Sequence, residues 1–443
     1  MKKILALMLG LVIVMSSFAG CSKESNPTKT SGESAQTSGE PAQTSGEPTK
    51  ILLWTFQDLH NTFYKSMTEK WNKENPTEQI ALTATTLPYD DMHNKLLIAL
   101  QSGVGAPDIA DIEIGKFSNF LKGTPQLLPL NDIVEPVLKD IVKSRVDIYS
   151  KDGKYYGICF HVGASVTYYN MDLMNKAGID PTTIKTWDQY HDAGKIVKEK
   201  TGKPITTFET IDLFLPQLMD KQLGSDLMKE DGTANLATPE LAQTLTFMRS
   251  MLKDGTAAIA PGGGHHQEEY YGFMNKGGSA SVTMPMWYMN RFTDYMPDLK
   301  GKMMILPCPV FKEGEARSVG LGGTGTAITN QSKAPELAKK FLAYCKLSKE
   351  GCTEIWNQLG FDPIRTDVWT DSTLKNAKNK FTEFYLDNPF DVLTSIKDEI
   401  PAIRLGEGYA SMCDKVKTTT FNKALTTDVD INTLLKSEED SLK

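Results

Sequence analysis

Two acids in the stretch PDIADIEI, Asp111 and Glu113, are separated by one residue. In an extended chain, alternate residues point to the same side. On one face, the two carboxylates could grip hydroxyl groups. They could also form a glycosidase pair, which requires a separation of about 5 to 9.5 Å, or they could be solvated acids at a strand end. Trp54, near the end of the apolar run KILLWTF, forms a second group with Gln57 and Asp58, which follow that run. Its tryptophan reads either as an aromatic platform flanked by polar groups or as a core residue followed by a polar loop.

Other chemistry is weaker. Gly320 to Gly325 match G-x-G-x-x-G, but the segment TAIT that comes next is strand-like, and a dinucleotide site needs a helix there. His265, His266, Glu268 and Glu269 could ligate a metal, yet no H-x-x-x-H spacing supports zinc, and the cluster reads as decoration of a flexible loop after PGGG. A P-loop and a G-x-S-x-G elbow are both missing. Cys159, Cys308, Cys345, Cys352 and Cys413 are too scattered for a disulfide framework and are expected to be small core residues. No cofactor or metal is implied.

The chain has 443 residues and a formal net charge of −7, with 40% hydrophobic and 23% charged residues. This composition is that of a globular protein, and its sign argues against nucleic acid as a partner. At the start, Lys2 and Lys3 precede an apolar run and a small-residue segment ending at Gly20, which reads as an export signal over residues 1–20. Cleavage before Cys21 would free a thiol for lipidation, an arrangement similar to a bacterial lipobox. From Thr30 the motif TSGE recurs three times at seven-residue spacing, so residues 21–49 are expected to be a disordered tether.

Strand-like and helical segments alternate along the rest of the chain. Ile80 to Thr86 reads as a strand, Tyr89 to Ser102 as an amphipathic helix closed by Gly103, and Pro107 to Ile114 as another strand. The alternation implies a parallel sheet covered by helices. Tyr155 to Asn170 is long for a single strand and contains two glycines, which suits a passage between domains. Thr186 and Gln189 form a capping box opening a helix, and Thr238 with Pro239 opens another. Gly278 to Met284 reads as a strand, Ser318 to Thr329 as a returning extended segment, and the last hundred residues as mostly helical.

Four stretches, in order, resemble the family 1 extracellular solute-binding proteins of ABC importers, which include the maltose-binding proteins. They are KLLIALQSGVGAPDIADIE (Lys95 to Glu113), YYNMDLMNKAGIDPTTIKTWDQ (Tyr168 to Gln189), FMNKGGSASVTMPMWYM (Phe273 to Met289) and VGLGGTGTAITNQSKAPELAKKFLAY (Val319 to Tyr344). The resemblance implies an α/β, two-lobed periplasmic-binding-protein type II fold with three hinge crossings, near Phe160 to Gly163, Gly320 to Gly325 and Lys346 to Ser348. The lobes would be 50–161 plus 323–347 and 162–322 plus 348–443.

A carbohydrate ligand, probed by aromatic faces and convergent polar groups, is then expected. The resemblance puts Trp287 in a stacking position with Tyr288 beside it. His161 and Gly323 fall in crossings, and the loops Glu209 to Phe214 and Gly360 to Arg365 fall at the cleft. Arg365 reads either as a partner of a ligand-facing carboxylate or as a support for Asp362. The implied protein is a monomer, held to the outer face of the cell membrane only by lipid on Cys21, that delivers an oligosaccharide unchanged to ABC permease subunits. Peptide, polyamine and iron-chelate ligands, an exported glycosidase and a polysaccharide adhesin are the alternatives.

Overall fold

The structure, a computed structural model, describes residues 46–443. The export signal, Cys21 and most of the expected tether lie outside the described residues. Thr49, the last residue of that tether, already belongs to β1 (Thr49–Thr55). This strand buries Ile51, Leu53 and Thr55 and turns Leu52 outward, the period of two that a half-covered strand shows. Next, α1 (Asp58–Glu74) buries His60, Phe63, Tyr64, Met67 and Trp71, a stripe at three- and four-residue steps. β2 (Ile80–Thr86), α2 (Tyr89–Ser102) and β3 (Ile109–Glu113) come after it, with β2 and β3 parallel to β1 on either side.

The long stretch Tyr155 to Asn170 does divide. Its first part supplies β4 (Ile158–Cys159) to one sheet, and its second part supplies β5 (Ser165–Asn170) to another. Beyond it, the capping box of α3 (Trp187–Thr201) forms in full, with Thr186 accepting from the Gln189 N–H and Gln189 accepting from the Thr186 N–H. α4 (Phe214–Gln222) and α5 (Pro239–Asp254) lead to β6 (Ser281–Pro285) and β7 (Met303–Pro307), which flank β5 antiparallel. β8 (Thr324–Ile328) then returns to the first sheet, α6 (Pro335–Lys346) covers it, and α7 (Tyr409–Lys415) lies in the helical C-terminal part.

The two larger sheets run β2-β1-β3-β8-β4 and β6-β5-β7, the centres of two lobes. Within the first sheet β2, β1 and β3 are parallel, as expected. β8 is antiparallel to both of its neighbours, and the second sheet is antiparallel throughout. The reason is connectivity, because a strand entering from the far lobe need not follow the helical crossover that parallel neighbours require. All five cysteines within the described residues are buried and unpaired.

The crossings are bound to one another. Leu321 donates to the Gly163 carbonyl at 2.9 Å, and Gly163, at φ +67, could not carry a Cβ without striking the Leu321 carbonyl. Arg145 is fully buried and donates to the carbonyls of Gly320 (2.7 Å) and Gly322 (2.6 Å). After α6 the chain returns to α1, where Lys70 pairs with Glu354 (2.7 Å) and Glu350 (3.3 Å). Asp362 then accepts from the Ala164 N–H at 2.8 Å.

Burial pushes the Asp362 carboxyl up to about 7, against the pull of the Ala164 and Gly163 N–H groups. A folded pKa above the unfolded value means stability fully present below about 4 and lost as pH rises through about 7. Asp362→Asn removes this titration. Its thermal midpoint, measured from pH 4.5 to 7.5, should rise relative to the wild type as pH increases; a constant difference would contradict the assignment.

Candidate functional site

The C-terminal ends of β1 and β3 point toward the crossings, and the residues there form one wall of a cavity of about 370 Å³. Phe56 and Gln57 follow β1, His60 lies in the first turn of α1, Tyr89 opens α2 and Glu113 ends β3. The opposite wall holds Asp212, Phe214 at the start of α4, His266, and Trp287, Asn290 and Arg291 after β6. His161 and Gly322 to Thr324 come from the crossings, Phe361 from the loop Gly360 to Arg365, and Lys417 reaches in from beyond α7. A larger cavity of about 860 Å³ lies between the start of α3 and the segment after β7. It contains none of the crossing residues, whereas open α/β sheets bind ligands at their strand ends.

The aromatic residues are locked in place. The Trp287 indole donates to the Leu321 carbonyl at 3.0 Å, His266 stacks on it at 5.4 Å with 17° between planes, and Phe214 meets it edge-on at 5.3 Å. On the other wall, Phe56, Tyr89 and His93 form a cluster with ring centroids 4.7 to 5.4 Å apart. His93 orients this wall as well, since its Nδ1 is 2.6 Å from the Tyr89 carbonyl and its Nε2 accepts from the Glu113 N–H at 3.0 Å. Both bonds can be made only by a neutral ring protonated on Nδ1. Burial holds His93 and His266 down at about 4.

Charge in the cleft is balanced. Glu113 accepts at Oε2 from the Tyr89 hydroxyl and the Gly115 N–H, both at 2.7 Å, while Asp212 pairs with Lys417 at 3.2 Å. Burial raises the Glu113 carboxyl above its ordinary range, and Lys417 opposes the rise. Lys417 in turn is held charged, since Asp212 and Glu113 outweigh its burial.

Five of the expected site residues line this cavity, namely Gln57, Glu113, His161, Trp287 and Gly323. Five lie outside its wall. Trp54 is half-buried on β1, with Lys95 Nζ 4.5 Å from its ring centre, and Asp58 is exposed at the start of α1. Tyr288 is fully buried and donates to the His265 carbonyl. Arg365 grips Asp367 and the Leu347 carbonyl, so the carboxylate it holds is neither ligand-facing nor Asp362. Asp111 is fully buried one layer beneath the wall, behind His60.

His265 and His266 are not loop decoration: His265 is buried and bonds Thr207 at 3.0 Å, and His266 is half-buried and stacked on Trp287. The pattern of α1 identifies His60 as an inward-facing residue, although that gives it no function. Arg291 and Lys417 carry no signal in the sequence, because only the fold brings them to the cleft.

With this architecture and cleft in place, comparison with other proteins is decisive for the family. The family model described as bacterial extracellular solute-binding protein matches residues 55–350, and the chain belongs to that family. Its sequence is 47% identical over 426 residues to an arabinooligosaccharide-binding protein of Bacillus subtilis (strain 168), a match covering 95% of this chain and 93% of the relative. It is 49% identical over 379 residues to an arabinooligosaccharide-binding protein of Halalkalibacterium halodurans, covering 85% of each. Among solved structures, the sugar-binding protein MalE of Xanthomonas citri superposes with a TM-score of 0.75 at 18% identity, over 89% of this chain and 96% of that one. The GacH receptor of Streptomyces glaucescens gives 0.72 at 17% identity, over 89% and 98%. These likenesses establish the two-lobed fold.

Gly322 supplies a local test. It sits at φ +66, and a Cβ there would come within 3.0 Å of Trp287 Nε1, whereas one at Gly202, at φ +71, would meet nothing. Each substitution to alanine should cost about 1 to 2 kcal/mol of backbone strain, read as a lower thermal midpoint. Only Gly322→Ala should also shift Trp287 fluorescence; equal spectra for the two variants would show that the contact is unimportant.

Proposed function

We propose that this protein is the solute-binding subunit of an ABC importer, capturing an uncharged oligosaccharide that contains arabinose and passing it unchanged to the permease. The cleft itself carries the reading. Fixed aromatic rings on both walls can stack against the CH faces of sugars, and neutral imidazoles, Gln57 and Asn290 suit hydroxyls that donate and accept. Its two acids, Glu113 and Asp212, are matched by Lys417 and Arg291. A polyamine would want an excess of acids and an anionic chelate an excess of bases, so an uncharged ligand fits best. The volume of about 370 Å³ falls near the lower end of the ~300–1,000 Å³ typical of ligand sites. The names of the two relatives sharing 47% and 49% identity support arabinose as a constituent.

In this reading Gln57, Glu113, His161, Trp287 and Gly323 touch the ligand, and the hinge closes the lobe built on the first sheet against the lobe built on the second. The protein acts as a monomer, without catalysis, tied to the outer face of the membrane by lipid on Cys21 and the tether.

A thermal-shift screen over arabinose oligomers, maltotriose, putrescine and a tripeptide tests the ligand class. A bound ligand at 100 times its Kd should stabilise the fold by about 2.7 kcal/mol, and chromatography should recover the sugar intact. Trp287→Ala should weaken binding at least tenfold, about 1.4 kcal/mol. Stabilisation by putrescine alone, or cleavage of the sugar, would overturn the reading.

A further inference from the structure

Behind the cleft wall, Asp111 collects donors from two elements, α1 and β8. Tyr64 of α1 donates to Oδ1 at 2.9 Å and Thr326 of β8 donates to the same oxygen at 2.6 Å. Lys346, at the end of α6, bonds the Thr326 oxygen and the Ile158 carbonyl, and its ammonium lies 3.2 Å from the Phe160 ring centre. Oδ2 meets His60 Nδ1 at 3.1 Å. An ionised carboxylate only accepts, so the proton of that last bond must belong to Nδ1.

Charge settles the rest of the ring. Asp111 and Lys346 are both fully buried and offset one another; a His60 cation, 4% exposed and stacked on Phe160 at 4.1 Å, would add an unmatched positive charge. Burial lowers the His60 pKa, Asp111 opposes this, and Lys346 and Arg291 reinforce it. A neutral ring protonated on Nδ1 leaves Nε2 as a bare acceptor. This atom has no hydrogen-bond partner among the described residues and is not sealed from the cavity that His60 lines.

We propose that His60 binds the ligand by accepting a hydrogen bond from a sugar hydroxyl at Nε2, and that Asp111 is the positioning residue that imposes this tautomer. The inference rests on the proposed function and adds a selectivity rule to it. At this point of the cleft a hydroxyl is required, because an ether or deoxy position would leave Nε2 buried against a group that cannot donate. Asp111 never meets the sugar. It acts through the imidazole, as outer partners of metal-bound histidines do for their ligands.

The test is long-range ¹H–¹⁵N NMR on the mature protein, with the His60 signals assigned from His60→Gln. The ligand-free protein should show the proton on Nδ1, and titration with arabinotriose should move the Nε2 resonance. His60→Ala should lose at least tenfold in affinity for arabinotriose. His60→Gln, whose amide oxygen can stand near Nε2, should lose less. Asp111→Asn should mix the tautomers; if that variant fails to fold, the wild-type spectrum and the His60 pair decide the matter. A proton on Nε2, a resonance unmoved by bound sugar, or equal affinity in the alanine variant overturns this inference and leaves the proposed function standing. A wild-type protein that binds none of the sugars in the screen ends both.

Discussion

A carboxylate can stay ionised inside a protein only if its lone pairs are taken up by donors and its charge is matched nearby. Asp111 meets both conditions, and the elements that meet them are the ones that define the hinge side of the first lobe. Tyr64 and His60 belong to α1, Thr326 to the strand returning from the second lobe, and Lys346 to the end of α6. Burial alone would raise the Asp111 carboxyl, but His60, Lys346 and Thr326 hold it down at about 2. Lys346 is lowered to about 8 by the same burial, with Asp111 opposing. The pair therefore remains charged at neutral pH, and removing either member would strand the other.

This junction lies directly under the cleft. His60 stands on Asp111, Glu113 comes two residues later on the same strand, and β8 leads back from Gly322 and Gly323. A sugar hydroxyl meeting His60 would thus touch a ring whose orientation is set by the sheet of one lobe and by a strand arriving from the other. The second wall has a different basis: Trp287 is held by the Leu321 carbonyl in a crossing, so the aromatic face of the second lobe is also referenced to the hinge. Arg145, bonded to the carbonyls of Gly320 and Gly322, braces that same segment.

The sheet order shows how far local pattern could lead. Ile80 to Thr86 and Tyr89 to Ser102 formed the expected strand and helix, and the Thr186 and Thr238 caps open helices where the residue types require them. These are effects of neighbours within four residues. The antiparallel entry of β8 could not be read in this way, since Ser318 to Thr329 looks extended whichever direction it runs. The same distinction applies to the site. Glu113 and Trp287 lie at element ends and come to the cleft, whereas Tyr288, one residue on from Trp287, faces the core.

Composition, the order of helices and strands, the caps and the family likeness were all determined by the sequence, because each depends on residue type and short spacing. Which of two alternating acids meets the cavity and which lies beneath it was decided by tertiary structure alone, through the packing of α1 over β3 that puts His60 above Asp111. The arrival of Arg291 in the cleft, and of Lys417 beside Asp212 about two hundred residues away in the chain, was likewise a tertiary outcome. Long-range charge pairing leaves no local periodicity, and it becomes visible only when the two lobes have folded toward a common cleft.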